Sequence, residues 1–201
     1  MILAVDTSLG TAVALVDADG AVRAEAAAAD PLGHAEVIGD LLAEVVAGAG
    51  EITHVVAGMG PGPFTGLRIG IAAARAFALG RAIPVIPVPS HHAAALARIG
   101  DGPFAIVTDA RRREVAITVF DGADAAGLPV VVADTVLVPA AEADAHLSDI
   151  RRFDVDALSA ADLARVGARA LAAGRALSGD EPLYLRHPDV VVPGAPKRVG
   201  L

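Results

Sequence analysis

One pattern occurs twice in this chain, and it limits the fold more than any other feature. In the first half, residues 2–5 read as a strand, Asp6 ends it, and residues 11–16 read as a second strand. Asp17-Ala18-Asp19-Gly20 is a hairpin turn, and residues 21–28 return as a third strand. In the second half, residues 104–107 read as a strand, Asp109 ends it, and residues 115–120 follow as a second. Asp121-Gly122 begins a turn, and residues 130–138 form the third strand. Each half is therefore strand, Asp, turn, strand, turn, strand, then helix. A dinucleotide-binding unit feeds its first strand directly into a helix, so the repeat argues against one. Helices are predicted over residues 34–49, 65–80, 90–99 and 159–177, with a short piece near 140–147 and a short parallel strand over 83–88. Ser159 to Asp162 carries an S-x-x-D start that resembles a capping box. The tail, residues 190–201, holds Pro193, Gly194 and Pro196 and reads as irregular. The halves divide near Gly100-Asp101-Gly102-Pro103, which gives domains of 1–100 and 101–201.

Between the first set of strands and the division lies Gly60-Pro61-Gly62-Pro63-Phe64-Thr65-Gly66-Leu67-Arg68-Ile69-Gly70. It follows an apolar run, Val55-Val56-Ala57-Gly58-Met59, and opens the second helical run. Glycine allows positive φ or close approach, and proline fixes φ around the turn. Thr65 is placed to cap the helix. A strand–turn–helix unit of this kind can hold a phosphate at the helix N-terminus. Neither standard phosphate motif is met: Arg68 is not the lysine of a P-loop, and the glycine spacing differs from G-x-G-x-x-G. The alternative is a tight turn that packs a helix closely on a sheet.

The same segment resembles GPGSFTGLRIG, the signature of the bacterial TsaB (YeaZ) family, with Pro63 in place of the usual serine. Residues 2–8, Ile-Leu-Ala-Val-Asp-Thr-Ser, resemble the family's opening strand. His34-Ala35-Glu36 resembles its H-[SA]-E, Thr108 to Val115 its D-A-R-R-x-E-V, and Pro182-Leu183-Tyr184-Leu185-Arg186 its P-x-Y-L-R. The resemblance implies an α/β fold of two ribonuclease-H-like lobes of the actin/Hsp70/sugar-kinase (ASKHA) superfamily. The second lobe is shortened, because the segment between Pro139 and Leu158 is briefer than the family pattern. It also implies a non-catalytic subunit of the complex that forms threonylcarbamoyladenosine next to the anticodon of tRNA. The implied partners are a TsaD-like catalytic paralogue and a TsaE-like small ATPase, with tRNA reached indirectly through the complex. A homodimer of the isolated chain is compatible with this reading.

Composition narrows the alternatives. The hydrophobic content is 54% with 3% aromatic, so the core must be built from Ala, Val, Leu and Ile. A formal net charge of −8 argues against broad electrostatic binding to nucleic acid by this chain alone. Without cysteine there is no disulfide, thiolate nucleophile or Cys-ligated zinc. The N-terminus runs straight into a strand, so no signal peptide is expected. No apolar run reaches the ~20 residues of a membrane-spanning helix. A cytoplasmic protein with no membrane contact is expected.

In phosphate-handling members of the superfamily, an Asp ends the first strand of each lobe and works with small-residue turns. Asp6, Thr7 and Ser8 copy the first turn, whereas the second, after Asp109, is filled by Arg111, Arg112 and Arg113. Both are expected to be degenerate phosphate turns. The three arginines form either an anion site or a solvated hairpin tip. No Gly-Gly adenosine loop is found, so ATP is not expected to bind in the usual mode, and neither a cofactor nor a catalytic residue is expected. The histidines, at 34, 54, 91, 92, 146 and 187, form no H-E-x-x-H or H-x-x-x-H, and no serine lies in a G-x-S-x-G elbow. The paralogue's metal-binding histidines fall, by register, at Ser90 and Ala94. No metal is expected. A working ATP-dependent kinase or ATPase built on Asp6 and Asp109 is the alternative function.

Two helices are more apolar than a half-buried helix requires. Val37, Leu41 and Val45 form one stripe of the first, and Ile38, Leu42 and Val46 form the next. The second helix is polar only at Arg75 between Ile69 and Leu79. One side must face a sheet, and a partner subunit is an economical cover for the other. The expected partner interface is Val37, Ile38, Leu41, Leu42, Val45, Val46, Gly66, Gly70 and Phe77. The alternative is that the two helices cover each other.

Overall fold

A computed structural model describes residues 1–30, 33–100 and 102–186. The first sheet contains β1 (Ile2–Asp6), β2 (Thr11–Val16), β3 (Val22–Ala28), β4 (His54–Gly58) and β5 (Val85–Val88), in the order β3-β2-β1-β4-β5. The three leading strands pair antiparallel, and β4 and β5 join in parallel. The parallel joins need crossovers, supplied by α1 (His34–Val46) and α2 (Phe64–Arg81).

The central strands are buried on both faces, which is why they read as unbroken apolar runs. Leu3, Val5, Val13 and Leu15 point to α1 and α2. Ile2, Ala4, Ala12, Ala14 and Val16 point the other way, to α5 (Ala160–Ala172). The second face is mostly alanine, and α5 answers with Ala160, Ala164 and Gly167. Small residues on both sides bring helix and sheet close. A Cβ on Gly167 would stand 2.4 Å from Val56 Cγ2.

The second sheet holds β6 (Pro103–Asp109), β7 (Glu114–Ala123), β8 (Pro129–Pro139) and β9 (Arg151–Asp154), in the order β8-β7-β6-β9. It repeats the first sheet up to its parallel fourth strand and has no counterpart of β5 among the described residues. Its outer face is closed by Ala143 and Leu147 of α4 (Ala143–Leu147), which follows a 3-10 turn over Ala140–Glu142. Its inner face packs Phe104, Ile106 and Phe120 on Ala94 and Ala95 of α3 (His91–Leu96). Helices α3 and α5 therefore lie between the two sheets. Helix α5 belongs to the second half of the chain but rests mainly on the first sheet.

Several local expectations change. Strand β9 was not legible, because Arg151-Arg152-Phe153-Asp154 has no apolar run and forms an edge. Helix α5 ends at Ala172, not near 177. Gly174 takes φ +63°, and Arg175 N donates to Ala170 O at 2.9 Å, a Schellman-type stop. Its start is as expected, with Ser159 accepting from Asp162 N. Helix α3 ends at Leu96 instead of 99, and Arg98 Nη1 donates to Ala94 O near its end at 2.8 Å. Thr65 is not a cap. Helix α2 begins at Phe64 behind Pro63, with no side-chain cap. The tail, 190–201, and His187 lie outside the described residues.

Gly167→Ala tests the close approach of α5. Alanine gains about 1 kcal/mol of helix propensity over glycine. Overpacking against Val56 costs ~1–3 kcal/mol, and a lowered melting temperature is the expected net result. A raised melting temperature would show that the contact has slack.

Candidate functional site

The end of β1 and the start of α2 meet in a polar knot. Asp6 is buried. Its Oδ1 accepts from Ser8 N at 2.8 Å, and its Oδ2 accepts from Ser90 Oγ at 2.5 Å. Ser8 Oγ lies 2.8 Å from Ser90 Oγ, and Gly60 N donates to Ser90 Oγ at 3.0 Å. Gly58 must lack a side chain, because a Cβ there would be 1.8 Å from Asp6 Oδ2. Burial raises the Asp6 pKa above the usual carboxylate value, opposed by the hydrogen bonds from Ser90 and Ser8.

The signature glycines pack on this turn. A Cβ on Gly62 would meet Ser8 Cα at 2.8 Å, and one on Gly70 would meet Thr7 Oγ1 at 2.2 Å. A Cβ on Gly66 would meet His34 Nε2 at 2.8 Å and Thr7 O at 3.0 Å. Thr7 Oγ1 donates to Gly66 O at 2.8 Å. The glycines at 62, 66 and 70 thus form one line along which the signature lies on residues 7–8. This corrects the placement of Gly66 and Gly70 at a partner surface: both are buried against their own chain. It also means that the Asp6-Thr7-Ser8 turn, expected as a degenerate phosphate turn, is covered by α2.

Asp109 is placed differently. It is exposed at the end of β6, and its Oδ1 accepts from Arg111 N at 3.2 Å. Arg111, Arg112 and Arg113 take φ of +61°, +55° and +62°, three consecutive left-handed residues without a glycine. That conformation costs roughly 1–2 kcal/mol per residue. Asp109 and this hairpin form one wall of a cleft of about 720 Å³, and Pro61 to Gly66 form the other. His34, Ile69, Leu137 and residues 184–186 complete it. Asp6, Thr7 and Ser8 are not in its lining, so the two aspartates that the alternative kinase or ATPase reading would pair do not share it.

The closing segment binds both walls. Arg68 Nε donates to Tyr184 Oη at 3.0 Å, and the Phe64 and Tyr184 rings lie 4.7 Å apart. The Arg68 guanidinium sits 3.6 Å from the centre of the Phe64 ring. Leu183 N donates to Met59 O at 2.8 Å, and Arg186 pairs with Glu114. Neither the Asp6–Ser90 bond nor the Arg68–Tyr184 bond was foreseen, since the partners lie 84 and 116 residues apart.

His91 and His92 are core residues. His91 is bonded at Nδ1 to Thr118 Oγ1 (2.7 Å) and at Nε2 to Thr108 Oγ1 (3.0 Å). His92 stands edge-on to Phe120. Among the described residues no group of three or more His, Asp or Glu gathers to hold a metal ion. No helix of the described residues is long and apolar enough to cross a membrane.

On the first helix the core face runs between the two expected stripes. Ile38 and Val45 are buried, one from each stripe, with Leu41, Leu42 and Val46 half-buried against the same cluster. Val37 is half-buried and lies outside that cluster. Phe77 is half-buried, and Leu79 is 83% exposed.

A family model described as TsaD, tRNA N6-adenosine threonylcarbamoyltransferase, matches residues 28–164. The chain belongs to this family. Uncharacterized proteins Mb3455c of Mycobacterium bovis and Rv3421c of Mycobacterium tuberculosis are 40% identical over 120 residues, 57% of this chain and 56% of each relative. The chain spans about half the length of the curated relatives it matches. Among solved structures, YeaZ from Pseudomonas aeruginosa matches with a TM-score of 0.73 at 24% identity, over 92% of this chain and 99% of that one. A second Pseudomonas aeruginosa protein, described as similar to peptidase YeaZ, gives 0.74 at 24% identity with the same coverage. The fold is therefore the YeaZ fold, two ribonuclease-H-like sheets of the ASKHA type, in a family of tRNA threonylcarbamoyl modification.

The buried histidines make stability pH-dependent. Burial lowers the pKa of His91 to about 3 and of His92 to about 4. Both stay neutral in the fold, while the unfolded chain takes up protons below about 6.5. The unfolded state then binds more protons, so stability falls as pH drops below that value, by up to about 1.4 kcal/mol per unit and histidine. Asp6 acts oppositely, since its raised pKa favours the fold on acidification. Two groups outweigh one, so melting temperature should decline from pH 7 to pH 5. His91→Gln should make the decline shallower, and an unchanged slope would remove His91 as its source.

Proposed function

We propose that this chain is a non-catalytic, cytoplasmic subunit of the assembly that forms threonylcarbamoyladenosine in tRNA, and that it acts by binding a catalytic TsaD-like paralogue. The observation that carries this reading is the covering of Asp6. The superfamily uses that carboxylate through solvent and Mg²⁺, and here Ser8, Ser90, Gly58 and α2 enclose it. The fold is kept while the group that would handle the nucleotide is withdrawn from the cleft. A TsaE-like ATPase and tRNA are then met through the complex.

The docking surface we assign is the outer side of α1 and α2. Leu79 of α2 is exposed, and Phe77 of α2 and Val46 of α1 are half-buried against the core. A protein partner seated on α1 and α2 would cover the remaining apolar surface of these side chains. Leu79→Asp and Phe77→Asp should leave a folded chain that no longer co-purifies with the paralogue. Ile38→Asp and Val45→Asp should unfold it, because an unpaired buried charge costs several kcal/mol. Circular dichroism and size-exclusion of each variant check the split. If the Leu79 and Phe77 variants still bind, the interface lies elsewhere.

One feature favours the alternative kinase or ATPase: a cleft with Asp109 in its wall. Calorimetry of the purified chain with ATP and Mg²⁺ should show no tight binding. A micromolar dissociation constant, about −8 kcal/mol, would overturn the non-catalytic reading.

A further inference from the structure

The cleft between the signature turn and the arginine hairpin is unaccounted for by a docking function, and its lining is uneven in charge. Its walls carry Arg111, Arg112 and Arg186 against Asp109, in a chain whose formal net charge is −8. Arg186 is engaged with Glu114, and Arg111 enters no side-chain hydrogen bond or ion pair among the described residues.

The opposite wall offers donors. Pro63 stands where the N-cap side chain would be and supplies none. The first helical bond of α2 is Leu67 N to Pro63 O, at 3.0 Å. The N–H groups of Phe64, Thr65 and Gly66 therefore have no partner among the described residues, at the positive end of an 18-residue helix. A second, independent group points the same way. His34 is 3% exposed and belongs to the cleft lining. Its Nδ1 is 2.8 Å from Thr11 Oγ1, while its Nε2 has no hydrogen-bond partner among the described residues. With Thr11 donating to Nδ1, the ring proton sits on Nε2 and makes it a donor. Gly66 backs onto Nε2, where a Cβ would stand only 2.8 Å from it.

We propose that this cleft binds a small organic anion, a carboxylate or phosphate monoester with an uncharged body. The anionic oxygens are held by the N-terminus of α2, His34 Nε2 and Arg111. Ile69, Leu137 and Leu185 line the remainder and take the apolar body. The volume, about 720 Å³, is in the range of small-molecule sites. This goes beyond the docking role and does not depend on it.

The chain carries its own reporter. Tyr184 is the only tyrosine, no tryptophan is present, and Tyr184 lines the cleft. Tyrosine emission of the purified full-length chain is followed during titration with monobutyl phosphate, hexanoate and the neutral hexanamide. A saturable change with at least one anion and none with hexanamide is expected; which anion acts distinguishes the two head groups. Arg111→Gln, at an exposed hairpin tip, should weaken binding at least tenfold without altering the melting temperature. His34→Gln should weaken it as well. The proposal is overturned if neither anion gives a saturable change up to ~10 mM, if hexanamide binds equally, or if Arg111→Gln binds like the parent. A response to tRNA but to neither small anion would also overturn it and make the cleft a nucleic-acid contact.

Discussion

The contact on which the rest depends is the seating of α2 on the turn after β1. It works because Gly62, Gly66 and Gly70 present backbone where any other residue would present a Cβ. The helix can then lie within reach of Thr7 and accept a hydrogen bond from the threonine hydroxyl at the Gly66 carbonyl. Once it is seated, Gly60 reaches Ser90, Ser90 reaches Asp6, and the start of α3 is fixed relative to β1. Helix α3 in turn carries His91 to the threonines of β6 and β7. One close approach thus propagates from the first sheet to the second through hydrogen bonds between buried groups.

Burial of Asp6 has an energetic side. A carboxylate taken out of water is costly unless it is hydrogen-bonded. Here a backbone N–H and a serine hydroxyl compensate it, and the residual desolvation still favours its protonated form. An aspartate in that condition is suited to holding loops together and poorly suited to holding a metal ion. The two halves of the chain have diverged in this respect. The first turn is closed by packing, and the second, at Asp109, stays open to the cleft with its arginines in a left-handed arrangement.

Much of the fold was legible because the repeat of strand, Asp, turn and strand uses short, strongly apolar segments with clear punctuation. Strand β9 escaped because an edge strand need not be apolar, and Arg151 and Arg152 meet solvent. Helix ends moved where Gly174 and Pro63 imposed local geometry that periodicity does not see. On α1 the apolar residues were right and their division was wrong: Ile38 and Val45 share the core, although simple stripes separate them. The glycines of the signature were read as allowing close approach, and the neighbour proved to be the chain's own first turn. The site contacts that mattered most, Asp6 to Ser90 and Arg68 to Tyr184, join residues far apart in sequence, so no local pattern could reveal them.

The closing segment acts as a strap. Leu183 is bonded to the signature at Met59, Tyr184 is stacked on Phe64 at the start of α2, and Arg186 is paired with Glu114 at the base of the arginine hairpin. These anchors lie on opposite walls of the cleft and on different sheets. Any widening of the cleft must first peel the strap from one wall. The width of the cleft is therefore set by a length of peptide tied to both rims, which makes the molecule a fixed jaw.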